Sequence, residues 1–119
     1  ATLRPQERLA AILSGRDVAL ACEELTLRGR ADFDAGRSRE AALQLRVALE
    51  AAIAELAPWA DRPRMANAIT RLSGERGLVG DAANAALQGG LDEEMVAEVE
   101  RVLKLVESAL RVRMQAELG

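Results

Sequence analysis

Apolar residues recur at intervals of three and four along most of the chain, which is the repeat of an amphipathic helix and not the alternation of a strand. The clearest stretch runs from Ser38 to about Ala57, where apolar side chains cover one face and extend around most of the cylinder. A helix that is apolar on most sides tends to be central in a bundle. Ser38 is a favourable first residue and Pro58 a usual breaker, so both ends of this predicted helix are marked.

The remaining predicted helices are marked by aspartate, proline and glycine at their ends. Asp17 and Asp92 are predicted N-caps, Pro63 suits a first helical turn, and Gly36 is expected to end a helix with a positive φ. These helices cover residues 5–13, 18–35, 63–73, 81–88 and 93–118, and a loop containing Gly77 and Gly80 precedes the helix that Asp81 caps. The sequence therefore predicts an all-α fold, a small bundle of five to six helices with a long C-terminal helix, in one domain over residues 1–119.

The long C-terminal helix carries two apolar faces. One contains Val96, Val99, Leu103, Val106, Leu110, Met114 and Leu118, and the other Val102, Leu105, Ala109 and Val112. Because long apolar faces are rarely left exposed, one face is expected to lie on the domain's own core and the other on a second copy. This interpretation predicts a homodimer with a candidate interface formed by Val99, Val102, Leu103, Val106 and Leu110. The alternative is a monomer in which the bundle covers both faces.

Residues 22–55 carry a pattern of large and small packing positions, formed by Leu25, Gly29, Gly36, Ala41, Leu45 and Ala48. In this spacing the passage resembles a single tetratricopeptide repeat, although Asp32 and Ile53 stand where that family usually has an aromatic residue and a proline. A solenoid needs about three such repeats, and the rest of the chain shows no matching period. The resemblance implies a tetratricopeptide-like helical hairpin inside a bundle, and the family's binding of peptides suggests a protein or peptide partner.

The composition agrees with closely packed helices. Half of the residues are apolar but only 2% are aromatic, so Ala, Leu and Val must fill the core. The formal net charge of −3 gives no positive field to attract a phosphate backbone, which argues against nucleic-acid binding. No apolar run approaches the length of a membrane span, and Cys22 has no second cysteine to pair with, so a cytoplasmic protein is expected. The sequence begins at Ala1, so either an initiating Met has been removed or this is a piece of a longer chain.

The sequence contains no histidine, which removes histidine-based acid–base and nucleophilic catalysis. The absence of histidine does not exclude a magnesium site built from carboxylates alone. The candidate ligands are the pairs Glu23-Glu24 and Glu93-Glu94, with Glu98 one turn on. Acidic residues in a first helical turn are, however, expected for the helix dipole alone. We therefore identify no catalytic, metal-binding or cofactor-binding residue.

Two smaller features favour structural roles. Arg28, Arg30, Arg37 and Arg39 surround the turn before Ser38 and alternate with acidic residues, so local salt bridges are predicted in preference to an anion site. Cys22 lies on an apolar face and is expected to pack as a small hydrophobic residue.

The sequence thus predicts a non-enzymatic domain for self-association or for interaction with another protein. The alternatives are a carboxylate- and Mg²⁺-dependent enzyme acting on a nucleotide-like substrate, and a small-molecule binder with an apolar cavity between helices.

Overall fold

A computed structural model describes residues 20–118. It contains helices α1 (Ala21–Asp34), α2 (Ser38–Glu55), α3 (Pro63–Gly74), α4 (Arg76–Leu87) and α5 (Glu93–Leu118), with a 3-10 turn at Ala57–Trp59. No strand occurs within this range, which confirms the all-α prediction. The predicted helix over residues 5–13 and the predicted Asp17 cap lie outside the described residues.

The turn between α1 and α2 has the hydrogen bonds of a Schellman motif. The Gly36 N–H donates to the Phe33 carbonyl at 3.0 Å, and the Arg37 N–H reaches back to the Asp32 carbonyl at 2.8 Å. Both carbonyls belong to the last turn of α1, where carbonyl groups have no hydrogen-bond donor within the helix. Gly36 has φ +80°, as predicted, and this left-handed conformation lets α2 fold back against α1.

We expect Gly36→Val to lower the free energy of unfolding by about 1–3 kcal/mol, because a β-branched residue is strained at positive φ. A Cβ at this position meets nothing within 4 Å, so the loss is conformational and not a clash. Urea unfolding followed by circular dichroism measures it. Gly74→Val is the matched control, because Gly74 also has open space around it but no positive φ. Equal losses in the two variants would contradict the role of Gly36.

Helix α2 is central, as its apolar pattern predicts. Leu45 and Ala48 are completely buried, which confirms their expected place in the core of the hairpin. Gly29 of α1 lies where three helices meet, since a Cβ there would stand 3.3 Å from Leu103 of α5 and 3.5 Å from Gln44 of α2. A side chain at Gly29 would therefore push α1 away from its two neighbours.

The prediction for α4 was wrong at its start. The helix begins at Arg76 and not near Asp81, so Gly77 and Gly80 lie inside it and Asp81 is not its cap. Each interior glycine weakens a helix by about 1 kcal/mol, which is why the local sequence indicates a loop. Val79, however, is fully buried in this added turn, and burial of one such side chain stabilises by about 1.5–3 kcal/mol.

Helix α5 begins as predicted, because the Asp92 carboxylate accepts a hydrogen bond from the Met95 N–H at 2.8 Å. The helix has 26 residues and is therefore about 39 Å long. It contacts all four of the other helices in the described range. None of the helices within residues 20–118 combines the length and the apolar character needed to cross a membrane.

Candidate functional site

The structure places most of the sequence-predicted interface inside the core. Val99, Val102, Leu103 and Val106 are fully buried within a single chain, and Leu110 is partly buried against the same core. The four buried side chains therefore offer no surface to a partner, and this choice of interface residues is corrected. The reason is that the bundle itself covers these four positions, three on the first apolar face of α5 and Val102 on the second. The homodimer as such stays a prediction.

The other apolar face of α5 forms the floor of an open groove beside α3. Leu105, Ala109 and Val112 of α5 and Ala68 and Leu72 of α3 make this floor, with Arg64 and Arg71 at its rim; we call it the α3–α5 groove. Its volume is about 590 Å³. A smaller hollow of about 320 Å³ continues it past Arg64 and Val112 toward Arg62, Pro63, Gln115 and Ala116. The sequence pattern predicted Leu105, Ala109 and Val112 as a second apolar face, but it could not show that this face lies beside α3.

The rim of the α3–α5 groove is basic and carries no ion pair within the described residues. Arg62, Arg64 and Arg71 form no ion pair with any carboxylate among residues 20–116, and Arg64 donates only to the amide oxygen of Gln115, at 2.9 Å. Most arginines elsewhere in this part of the chain are paired, namely Arg28, Arg30, Arg37, Arg76, Arg101 and Arg113. The groove therefore combines an apolar floor with uncompensated positive charge.

A second groove, between α4 and the first turns of α5, has the opposite charge. We call it the α4–α5 groove, and its volume is about 400 Å³. Its floor is formed by Leu78, Ala82 and Met95. Its rim is formed by Asp81, Asp92, Glu94 and Glu98. Glu98 pairs with Arg101, but Asp81, Asp92 and Glu94 form no ion pair with another described residue. This rim is therefore as acidic as the other rim is basic.

Both grooves open on the same side of α5. Glu94, Glu98, Leu105, Val112 and Ala116 line them, and the intervals of four and seven residues between these positions place them on one stripe of the helix. The acidic groove occupies the N-terminal part of this stripe and the basic groove the C-terminal part. A partner that contacts the whole stripe meets both charges in a fixed order.

An ion-pair network separates the two grooves. The Arg101 guanidinium donates to both oxygens of the Glu75 carboxylate, at 2.9 and 2.7 Å, and to Glu98 at 2.7 Å. The hydrogen bond from Arg101, opposed by partial burial, holds the pKa of the Glu75 carboxyl below its ordinary value. Because Glu75 joins α3 to α4, this fork ties the junction of those helices to α5.

A polar cluster at one end of the bundle holds α1 in place. The Glu55 carboxylate, at the end of α2, accepts hydrogen bonds from the Ala21 N–H at 3.0 Å and the Cys22 N–H at 2.7 Å. Partial burial raises the pKa of the Glu55 carboxyl, but these donors and the nearby Arg113 outweigh that effect and hold it below 4.5. Ionised Glu55 therefore stabilises the fold at neutral pH, and this contribution is lost as the pH falls below about 4.5 and through the folded pKa.

Arg113 completes this cluster. Its side chain is only 7% exposed, donates to the Glu23 carboxylate at 2.6 Å, and lies 5.2 Å from the centre of the Trp59 ring. Burial and then the neighbouring Glu55 raise the pKa of the Cys22 thiol to about 12. The thiol is thus protonated at neutral pH and fully buried, which confirms that Cys22 packs as a small hydrophobic residue.

The arginines around the α1–α2 turn mostly form ion pairs with nearby carboxylates. Arg28 pairs with Glu24, Arg37 with Asp32, and Arg30 with both Asp34 and Glu107, so the predicted salt bridges around this turn are confirmed for three of the four arginines. Arg39 instead donates to the Ala86 carbonyl at 3.0 Å and links α2 to α4. Neither candidate carboxylate pair belongs to a group of three or more metal-ligating residues in the part of the chain that is described.

No family model matches this sequence, and searches of curated proteins and of solved structures likewise return no match. The tetratricopeptide-like character of residues 22–55 therefore stays a prediction.

Proposed function

We propose that this protein is a non-enzymatic association domain that binds an acidic, partly apolar helical surface of a protein in its α3–α5 groove. The observation that carries the proposal is the rim formed by Arg64 and Arg71, with Arg62 in the adjoining hollow. These arginines lie beside an apolar floor and lack carboxylate partners within residues 20–116. If the acidic surface belongs to a second copy of this chain, the association is the homodimer expected from the sequence.

The two parts of the groove have different roles in binding. Burial of the floor, which includes Leu105 and Val112, supplies affinity, because removing apolar surface from water is favourable by about 25 cal/mol per Å². The arginines select the sign of the partner's charge and raise the rate of encounter. Arginine also binds carboxylates through two parallel hydrogen bonds, which suits a helix that presents glutamate or aspartate.

The shape of the α3–α5 groove favours a protein over the other ligands considered. The groove is open to solvent, whereas sites for small molecules enclose most of the ligand surface. A nucleic acid would meet the acidic α4–α5 groove on the same side of α5, and the net charge of −3 opposes a phosphate backbone.

The proposal is tested with two labelled helical peptides of identical leucine and alanine content, one with glutamate and the other with lysine at its charged positions. We expect the chain to bind the glutamate peptide at least about tenfold more tightly in fluorescence anisotropy, a difference of about 1.4 kcal/mol. The double variant Arg64→Glu/Arg71→Glu should lose this preference.

Arg46→Glu is the matched control, because Arg46 is an exposed arginine of α2 outside both grooves. It should leave the binding of the glutamate peptide unchanged. Equal affinity for the two peptides, or an equal loss in Arg46→Glu and the double variant, would overturn the proposal.

A further inference from the structure

We infer that the acidic surface received by the α3–α5 groove is the α4–α5 groove of a second copy of this chain, so that two copies pair antiparallel along α5. This inference rests on the proposed function and names its partner. The observation behind it is that one chain carries two grooves of opposite charge on one stripe of one helix.

The two grooves are complementary in both their floors and their rims. Each floor is apolar, so contact between them buries apolar surface on both copies. Asp81 and Glu94 are exposed and unpaired at one rim, as Arg64 and Arg71 are at the other, within the described residues. Pairing the grooves gives each of these charges the partner that it lacks among the described residues of its own chain.

The order of the grooves along α5 decides the direction of pairing. Antiparallel copies place the acidic part of each stripe on the basic part of the other, so both contacts form at once in a two-fold dimer. Parallel copies would place acid on acid and base on base, which is unfavourable.

The spacing along α5 gives the position of the two-fold axis. Glu98 and Val112 are 14 residues apart, a rise of about 21 Å, and Leu105 lies midway between them. An axis at Leu105 therefore brings Glu98 of each copy opposite Val112 of the other, and the two Leu105 side chains meet at the centre. Leu105 is only partly buried in the single chain and has surface left for this contact.

The arrangement differs from the interface expected from sequence. It uses the stripe through Leu105 and Val112, whereas the predicted interface used residues that the chain buries itself. It also leaves Glu107 and Arg113 in their ion pairs with Arg30 and Glu23. No ion pair among residues 20–116 has to break for the dimer to form.

Two charge variants test the pairing. The first, Arg64→Glu/Arg71→Glu, has two acidic rims, and the second, Asp81→Lys/Glu94→Lys, has two basic rims. All four positions are exposed, and Asp92 and Glu98 are left unchanged because they cap α5 and bind Arg101. Melting curves from circular dichroism are the check that both variants fold.

Sedimentation velocity over a dilution series measures the association. We expect the unmodified chain to reach twice its mass of 12.8 kDa, and its dimer to weaken as salt is raised, since exposed charges are screened. Each variant alone should dimerise at least about 100-fold more weakly, because both contacts of the dimer then join like charges. An equimolar mixture of the two variants should restore a dimer at least as stable as the original.

The outcomes separate this inference from the proposed function. A chain that stays at 12.8 kDa at every concentration but binds the glutamate peptide overturns the second copy as partner and leaves the association function standing. A chain that does neither overturns both. A dimer that persists unchanged in both charge variants overturns the antiparallel arrangement, because its interface must then lie elsewhere.

Discussion

We expect the substitution Ala48→Glu to abolish the folded state. Ala48 is completely buried in α2, the helix that α1, α4 and α5 surround. A glutamate there places a charge and four further heavy atoms in a space that holds a methyl group. An unpaired buried charge and an overpacked core each cost several kcal/mol, which together approach the 5–15 kcal/mol by which a typical domain is stable. Thermal unfolding followed at 222 nm should show no cooperative transition.

Val47→Glu is the control for Ala48→Glu. Val47 is the preceding residue on the same helix, but its side chain is 55% exposed, so the new charge stays in water. This variant should melt within a few degrees of the unmodified chain. A soluble Ala48→Glu protein with an unchanged melting temperature would mean that α2 is not the centre of the bundle.

Arg113→Ala should lower the free energy of unfolding by about 2–4 kcal/mol, because truncating one partner of a buried ion pair leaves the other uncompensated. The variant loses the 2.6 Å contact with Glu23 and the stacking on Trp59, and it removes the positive charge beside Glu55. The expected loss lies below the upper limit for buried pairs, since Glu23 is 35% exposed and regains some hydration. Urea unfolding at pH 7 measures the change.

Arg111→Ala serves as the matched comparison for Arg113→Ala. Arg111 is two residues earlier on α5, is exposed, and donates to the Ser108 hydroxyl at 3.0 Å. Its removal should change stability by no more than about 0.5 kcal/mol. Arg113→Lys should fall between the two, because an ammonium group keeps the charge but not the planar fork. Similar losses for Arg111→Ala and Arg113→Ala would show that the polar cluster around Arg113 adds no more to the free energy of unfolding than an exposed arginine does.

The candidate site could be predicted from the sequence only in part. The second apolar face of α5, with Leu105 and Val112, was visible as a helical repeat. The repeat could not show which face the chain covers itself, so the predicted interface fell on Val99, Val102, Leu103 and Val106, which are core residues. The rims were also hidden, because Arg64 and Arg71 become a basic edge only when α3 lies beside α5.

The sequence by itself determined the features that depend on short-range forces. The helical class follows from the apolar repeat, the end of α1 from the freedom of Gly36 at positive φ, and the start of α5 from the Asp92 side chain. Each involves residues within about one helical turn of each other, so no knowledge of the fold is needed to find them.

Only the tertiary structure decided the features in which distant segments compete with local preference. Burial of Val79 extends α4 through two glycines, and Glu55 caps α1 from 33 residues away. The same holds for α5, whose two apolar faces look alike in sequence but differ in what packs on them. The chain's own helices cover Val99, Leu103 and Val106 of the first face and Val102 and Ala109 of the second. Leu105 and Val112 of the second face are only partly buried, because side-chain burial depends on the arrangement of all the helices at once.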